Sequence, residues 1–177
     1  MIADDVHRRA TTEPPWRRRF AAVIVAVAVV AADQTSKTWA LSHTMRPRHV
    51  LGPLTLELTF NSGAAFGLGG GASLVVEIVV VALVVGLVAF GHRTSRHASR
   101  SAVAGLGLLV GGATGNLIDR VVRDHHGSVI DFIAAARIGT HDRWPIFNVA
   151  DAMIVLGAVT LAAAYSTRRR LADRQAS

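Results

Sequence analysis

The sequence predicts an all-α membrane protein in which four transmembrane helices carry a small extracytoplasmic β-sheet. Of its 177 residues 51% are apolar but only 6% are aromatic, a Val-, Ala-, Leu- and Gly-rich composition suited to lipid-facing helices rather than a soluble core. That apolar content is gathered into four long stretches, and one short segment alternates apolar and polar residues instead. The basic residues behind the net charge of +7 sit in short clusters between the stretches, a distribution that a nucleic-acid groove would not require. The reading is therefore one integral membrane domain, 1–177, with spans at about 20–41, 74–90, 101–118 and 147–165 and basic tails at 1–16 and 168–177.

The first span begins with an apolar run from Phe20 to Ala32, which rises only about 20 Å as a helix. It must continue through Asp33, Gln34, Thr35, Ser36 and Lys37 to cross a layer of about 30 Å, so Asp33 lies at membrane depth. The rival reading is a cleavable signal peptide, since Arg17 to Arg19, the apolar run and the small residues Ala31 and Ala32 share its layout. Beyond the span, Leu54, Leu56, Leu58 and Phe60 alternate with Thr55, Glu57, Thr59 and Asn61. That period of two predicts a strand whose apolar side faces lipid or helices. The third span carries Gly107, Gly111 and Gly115 at four-residue intervals, with Gly105 and Gly112 beside them. Such a face admits close approach of another helix. The fourth span follows Trp144-Pro145, a helix-start signal that puts Asp151 at least one turn inside the helix.

With the amino terminus inside, twelve Arg fall on the cytoplasmic side and seven Arg or Lys on the other, so both termini are cytoplasmic by the positive-inside rule. Trp16, Tyr165, Trp39 and Trp144 then sit where interfacial aromatic belts place them.

No cysteine is present, which leaves chemistry to oxygen and nitrogen groups. Asp33 and Lys37 are four apart on one helical face and can form an ion pair that lowers the cost of burying either charge. Asn116, Asp119 and Arg120 end the third span, either as site residues or as an interfacial polar stop. Asp131 stands inside the apolar pentad Val129 to Ile133, and Asn148 and Asp151 share a face of the fourth helix. An intramembrane carboxylate usually faces a bundle interior or a water-filled cavity. If Asp131 and Asp151 converge, both cannot be ionised at once, and a pair holding one proton can hydrolyse a peptide bond through an activated water.

Competing arrangements remain open at this level. Ser62 with Lys37 would make a serine–lysine peptidase. His125 and His126 are adjacent in a loop and make a poor metal site. A small transporter or a non-catalytic membrane adaptor would also place acids within its spans.

Taken in order, Asp33-Gln34-Thr35-Ser36-Lys37, Asn61-Ser62-Gly63-Ala64-Ala65-Phe66-Gly67, Gly111-Gly112-Ala113-Thr114-Gly115-Asn116-Leu117-Ile118-Asp119-Arg120, Val129-Ile130-Asp131-Phe132 and Phe147-Asn148-Val149-Ala150-Asp151 resemble lipoprotein signal peptidase, or signal peptidase II. The resemblance runs from about residue 20 to 165 and implies a four-helix bacterial inner-membrane aspartic endopeptidase. It would remove signal peptides from prolipoproteins, cutting on the amino side of a diacylglyceryl-modified cysteine near the extracytoplasmic face. The catalytic pair it implies is Asp131 and Asp151. Asp33, Lys37, Asn61, Gly63, Asn116, Asp119, Arg120 and Asn148 would organise the site or contact substrate. It further implies no metal or cofactor, no nucleic acid, and a monomer whose partners are lipid-modified precursors and membrane lipids. The stretch Val121 to Ser128 is longer than the family pattern suggests, which leaves Asp124 as a rival to Asp131. Substrate acyl chains are expected in lipid or along the glycine-lined face of the third span.

Overall fold

Three long helices hold a small sheet at one end of the described chain, which in this computed structural model comprises residues 14–44, 46–51, 54–62, 86, 89, 99–135 and 146–176. Helix α1 spans Pro15–His43, α2 Arg100–Val122 and α3 Val149–Ala176. Each contains a segment long and apolar enough to cross a membrane. At 29 residues, α1 is roughly 43 Å long at 1.5 Å per residue. Pro15 starts it at a position where a missing N–H loses no helical bond. Ser99 starts α2 by accepting a 3.1 Å bond from the Ala102 N–H on its hydroxyl.

Three of the expected spans fall within these helices. The fourth, 74–90, lies outside the described residues apart from the helical Gly86 and Ala89; Gly63, Arg137, Trp144 and Pro145 lie outside them too. Helix α3 continues to Ala176, so residues 168–176 of the basic tail are helical. One expectation needs correction at the other end: α3 begins only at Val149, because Phe147 is still extended and bridged to Ile133, so Asp151 lies in the first turn and not a turn inside.

The strands β1 (Arg48–Leu51), β2 (Leu54–Asn61) and β3 (Val129–Ala135) form an antiparallel sheet in that order. Thr59 lies opposite Asp131 and Asn61 opposite Val129. The predicted alternation of β2 is interrupted by a register shift between Leu56 and Thr59. Leu56 and Leu58 pack with Ile130, Phe132 and Ala40 of α1, while Leu54 and Phe60 are exposed. On the far edge of β3, Phe147 exchanges backbone bonds of 2.8 and 3.0 Å with Ile133, and this tie sets the start of α3 beside β3.

The glycines of α2 work on two faces. A Cβ on Gly107 or Gly111 would come within 2.9 Å of Ala22, Val25, Ala26 or Val29 of α1, and one on Gly112 within 2.5 Å of the Ala150 carbonyl of α3. Gly105 meets Gly157 and Leu161 of α3 as well. Both faces are occupied by protein, so of the two places expected for acyl chains the glycine-lined face is already filled.

Candidate active site

Asp33 and Lys37 are one helical turn apart on α1, and both are fully buried. The Lys37 ammonium uses its three protons on Asp33 Oδ2 at 2.8 Å, Asp119 Oδ2 at 2.8 Å and Asn116 Oδ1 at 2.9 Å. Asp119 also accepts from Gln34 Nε2 at 3.0 Å, Arg123 Nε at 3.2 Å and the backbone N–H of Ile130 at 3.1 Å. Through that last bond α2 grips β3 next to Asp131. Asp33 Oδ1 accepts from the Ala150 N–H at 2.9 Å, so an acid of α1 sits against the positive N-terminus of α3.

Asn148 and Asp151 form a reciprocal cap on α3. Asn148 Oδ1 accepts from the Asp151 N–H at 2.9 Å, and Asp151 Oδ2 accepts from the Asn148 N–H at 3.3 Å. This is capping-box geometry with Asp in place of the usual Glu, and it fixes the Asp151 carboxylate against its own helix. The Asn148 amide nitrogen then reaches across to Asp131 Oδ1 at 2.6 Å. One residue therefore contacts both acids. Asn61 of β2 donates to Asp131 Oδ2 at 2.9 Å, and Asn116 of α2 donates to Asp151 Oδ1 at 2.8 Å. Each carboxylate thus receives a donor on each oxygen, from Asn61 of β2, Asn116 of α2 and, twice, Asn148 at the cap of α3. Burial pushes the Asp131 carboxyl up to about 6, with the nearby Asp151 charge acting in the same direction and the amide bonds from Asn61 and Asn148 opposing it.

A model of the family described as signal peptidase (SPase) II matches residues 25–167. This chain belongs to the signal peptidase II family. It is 38% identical over 165 residues to the lipoprotein signal peptidase of Rhodococcus jostii, covering 89% of this chain and 79% of that one. The lipoprotein signal peptidase of Xanthomonas euvesicatoria is 40% identical over 149 residues, covering 79% and 82% of the two chains. A solved bacterial membrane enzyme, determined by the in meso method, superposes with a TM-score of 0.69 at 29% identity, covering 82% of this chain and 87% of that one.

Of the residues singled out by resemblance to signal peptidase II, the structure brings together Asp33, Lys37, Asn61, Asn116, Asp119, Asn148, Asp131 and Asp151. Gly63 lies outside the described residues. Arg120 is buried and donates to the Asn116 carbonyl at 3.4 Å, which supports the α2 backbone beneath the site. Asp124 is exposed in the turn after α2, and His125 packs on Phe60 with ring centroids 4.7 Å apart. Ser62 is exposed, and the donors of Lys37 are engaged elsewhere, so the serine–lysine arrangement does not form.

Two members of the network escaped the sequence reading. Gln34 donates to Asp33, to the Gly115 carbonyl and to Asp119, and accepts from Arg123 at 3.1 Å. Arg123, left without a role within the stretch Val121 to Ser128, pairs with Asp119 and ties α2 to α1. The signal that could have found it is its i,i+4 spacing from Asp119.

Proposed function

We propose that this chain is a membrane-embedded aspartic endopeptidase that removes signal peptides from diacylglyceryl-modified prolipoproteins, cutting on the amino side of the lipidated cysteine. The observation that carries this reading is the contact of Asn148 with both Asp131 and Asp151. A buried acid, Asp131, and a half-buried one, Asp151, from separate elements are bridged by one asparagine, with their outer oxygens oriented by amide donors. Near pH 6 such a pair can hold one proton.

The ionised carboxyl takes a proton from a water as its oxygen attacks the scissile carbonyl carbon. The protonated carboxyl hydrogen-bonds the carbonyl oxygen and supplies its proton as charge develops there. The tetrahedral diol then collapses, the C–N bond breaks, and the amine leaves with a proton returned from the pair. The substrate's apolar signal helix must be unwound locally before this can occur. A sheet at the ends of the helices suits an extended segment, because unpaired backbone groups are tolerated only outside the hydrocarbon.

The fuller topology belongs to the same proposal. The stretch 74–90 supplies a fourth span, both termini are cytoplasmic, and the sheet with the acid pair lies at the extracytoplasmic face, as the twelve-to-seven split of basic charge supports. The chain acts as a monomer, with membrane lipids around it.

The test is to incubate purified protein with a lipid-modified precursor and compare wild type with Asp131→Asn and Asp151→Asn. Both variants should insert normally and cleave nothing, since an amide cannot share the proton. Full cleavage by either would overturn the pair. Solute movement across vesicles with no cleavage by wild type would point to a carrier instead.

A further inference from the structure

The buried Lys37 touches neither acid of the pair, yet it lies one amide away from Asp151 and two from Asp131. A lysine ammonium has donors and no acceptor, so Asn116 must present Oδ1 to Lys37 Nζ, as it does at 2.9 Å. That orientation leaves Asn116 only its Nδ2 for Asp151, at 2.8 Å. Asn116 Oδ1 also receives Asn148 Nδ2 at 3.1 Å, which turns the Asn148 donor side toward Asp131 and its Oδ1 toward the Asp151 N–H.

We infer that Lys37 is a positioning residue that fixes the polarity of an amide relay, Lys37 to Asn116 to Asn148, so that neither asparagine can accept the proton of the acid pair. The inference rests on the peptidase reading above. With the relay polarised, neither Asn116 nor Asn148 offers that proton an acceptor, so it stays between the partner carboxyl and the substrate. Without it, the Asn116 amide can turn over and accept from Asp151, which draws the proton away from the reacting side. The charged groups around the relay are Asp33 and Lys37 of α1, Asp119, Arg120 and Arg123 of α2, Asp131 of β3 and Asp151 of α3.

The test removes the ammonium together with one buried acid, keeping the charge balance: Asp33→Asn with Lys37→Met, in which the new amide oxygen can still accept the Ala150 N–H. On a lipid-modified precursor, kcat should fall at least tenfold with KM within about threefold of wild type, and the alkaline limb of the pH–rate profile should move up by about one pH unit. A second variant, Asn116→Asp, keeps an oxygen for Lys37 and for Asn148 while removing the donor to Asp151. It should show the same split and the same direction of shift, and it decides the matter if the double variant fails to insert. Wild-type kcat and an unmoved profile in an inserted variant overturn the relay. If Asp131→Asn, run alongside, cleaves normally, it is the peptidase reading that fails rather than the relay.

Discussion

Replacing Asp131 by Asn should make the folded protein more stable above pH 6 while abolishing its proposed activity. The carboxyl is 2% exposed, and its pKa rises from 3.8 to about 6 on folding. At 1.36 kcal/mol per unit, a shift of that size corresponds to about 3 kcal/mol. The sign follows from proton affinity. The folded state binds the proton more tightly than the unfolded chain, so the stabilisation is fully present below pH 3.8, is lost as pH rises through 6, and leaves a constant penalty above it. Asparagine removes that penalty but mismatches one of the two amide donors, Asn61 at 2.9 Å or Asn148 at 2.6 Å. That mismatch costs about 1–2 kcal/mol at any pH. The net gain at pH 8 is then about 1–2 kcal/mol, or a Tm higher by roughly 2–8 °C for a chain of this size. At pH 4 the variant should be the less stable of the two. Thermal unfolding in detergent, followed by tryptophan fluorescence from pH 4 to 8, reads the difference. A gap between variant and wild type that stays the same across that range would refute the reasoning, because only the titration of Asp131 makes it change.

The pH profile of kcat/KM on a lipid-modified precursor should be bell-shaped with one limb near pH 6, set by the raised Asp131 carboxyl; a flat profile from pH 5 to 8 would contradict it. Lys37→Met alone leaves Asp33 and Asp119 without their 2.8 Å ion pairs. It should destabilise the protein by about 3–5 kcal/mol, seen as a lower melting temperature in detergent or as failure to accumulate in the membrane. Gly112→Ala puts a methyl 2.5 Å from the Ala150 carbonyl, whereas Gly86→Ala meets nothing within 4 Å. The first should lower both stability and cleavage and the second neither, which a paired melting and activity assay checks. Ser62→Ala should cleave at the wild-type rate, since Ser62 is exposed and lacks a lysine partner; loss of cleavage would revive the serine–lysine mechanism.

Much of the site was legible because its residues violate the apolar rule around them. Asp33 and Lys37 could be paired from spacing alone, since a helix forced to continue past Ala32 puts positions four apart on one face. Asp131 stood out, but the strand holding it did not. Val129 to Ile133 is apolar on both sides of the acid, the pattern of a strand covered on both faces, which periodicity cannot separate from a buried helix segment. The spacing of Asn148 and Asp151 was read as a shared face inside a helix. In the structure it is the cap itself, because Phe147 remains paired with Ile133 and delays the helix start. Gln34 was invisible, being an uncharged residue whose four partners are its own neighbour Asp33 and three residues on or just past α2. The glycine faces were read correctly as close-approach surfaces, but sequence cannot say that two different helices fill them.

The bond from Asp33 to the Ala150 N–H joins the first long helix to the last. A polypeptide is made from its amino end, so Asp33, Lys37, Asn61, Asn116, Asp119 and Asp131 all emerge before the residues that finish the proposed catalytic centre. Until Asn148 and Asp151 arrive, Asp131 has no second acid, and Asp33 has no helix terminus to meet. On the proposed mechanism, hydrolysis therefore waits for a single late step of biogenesis, before which an unfinished copy has no acid pair to turn on precursors threaded through the same membrane.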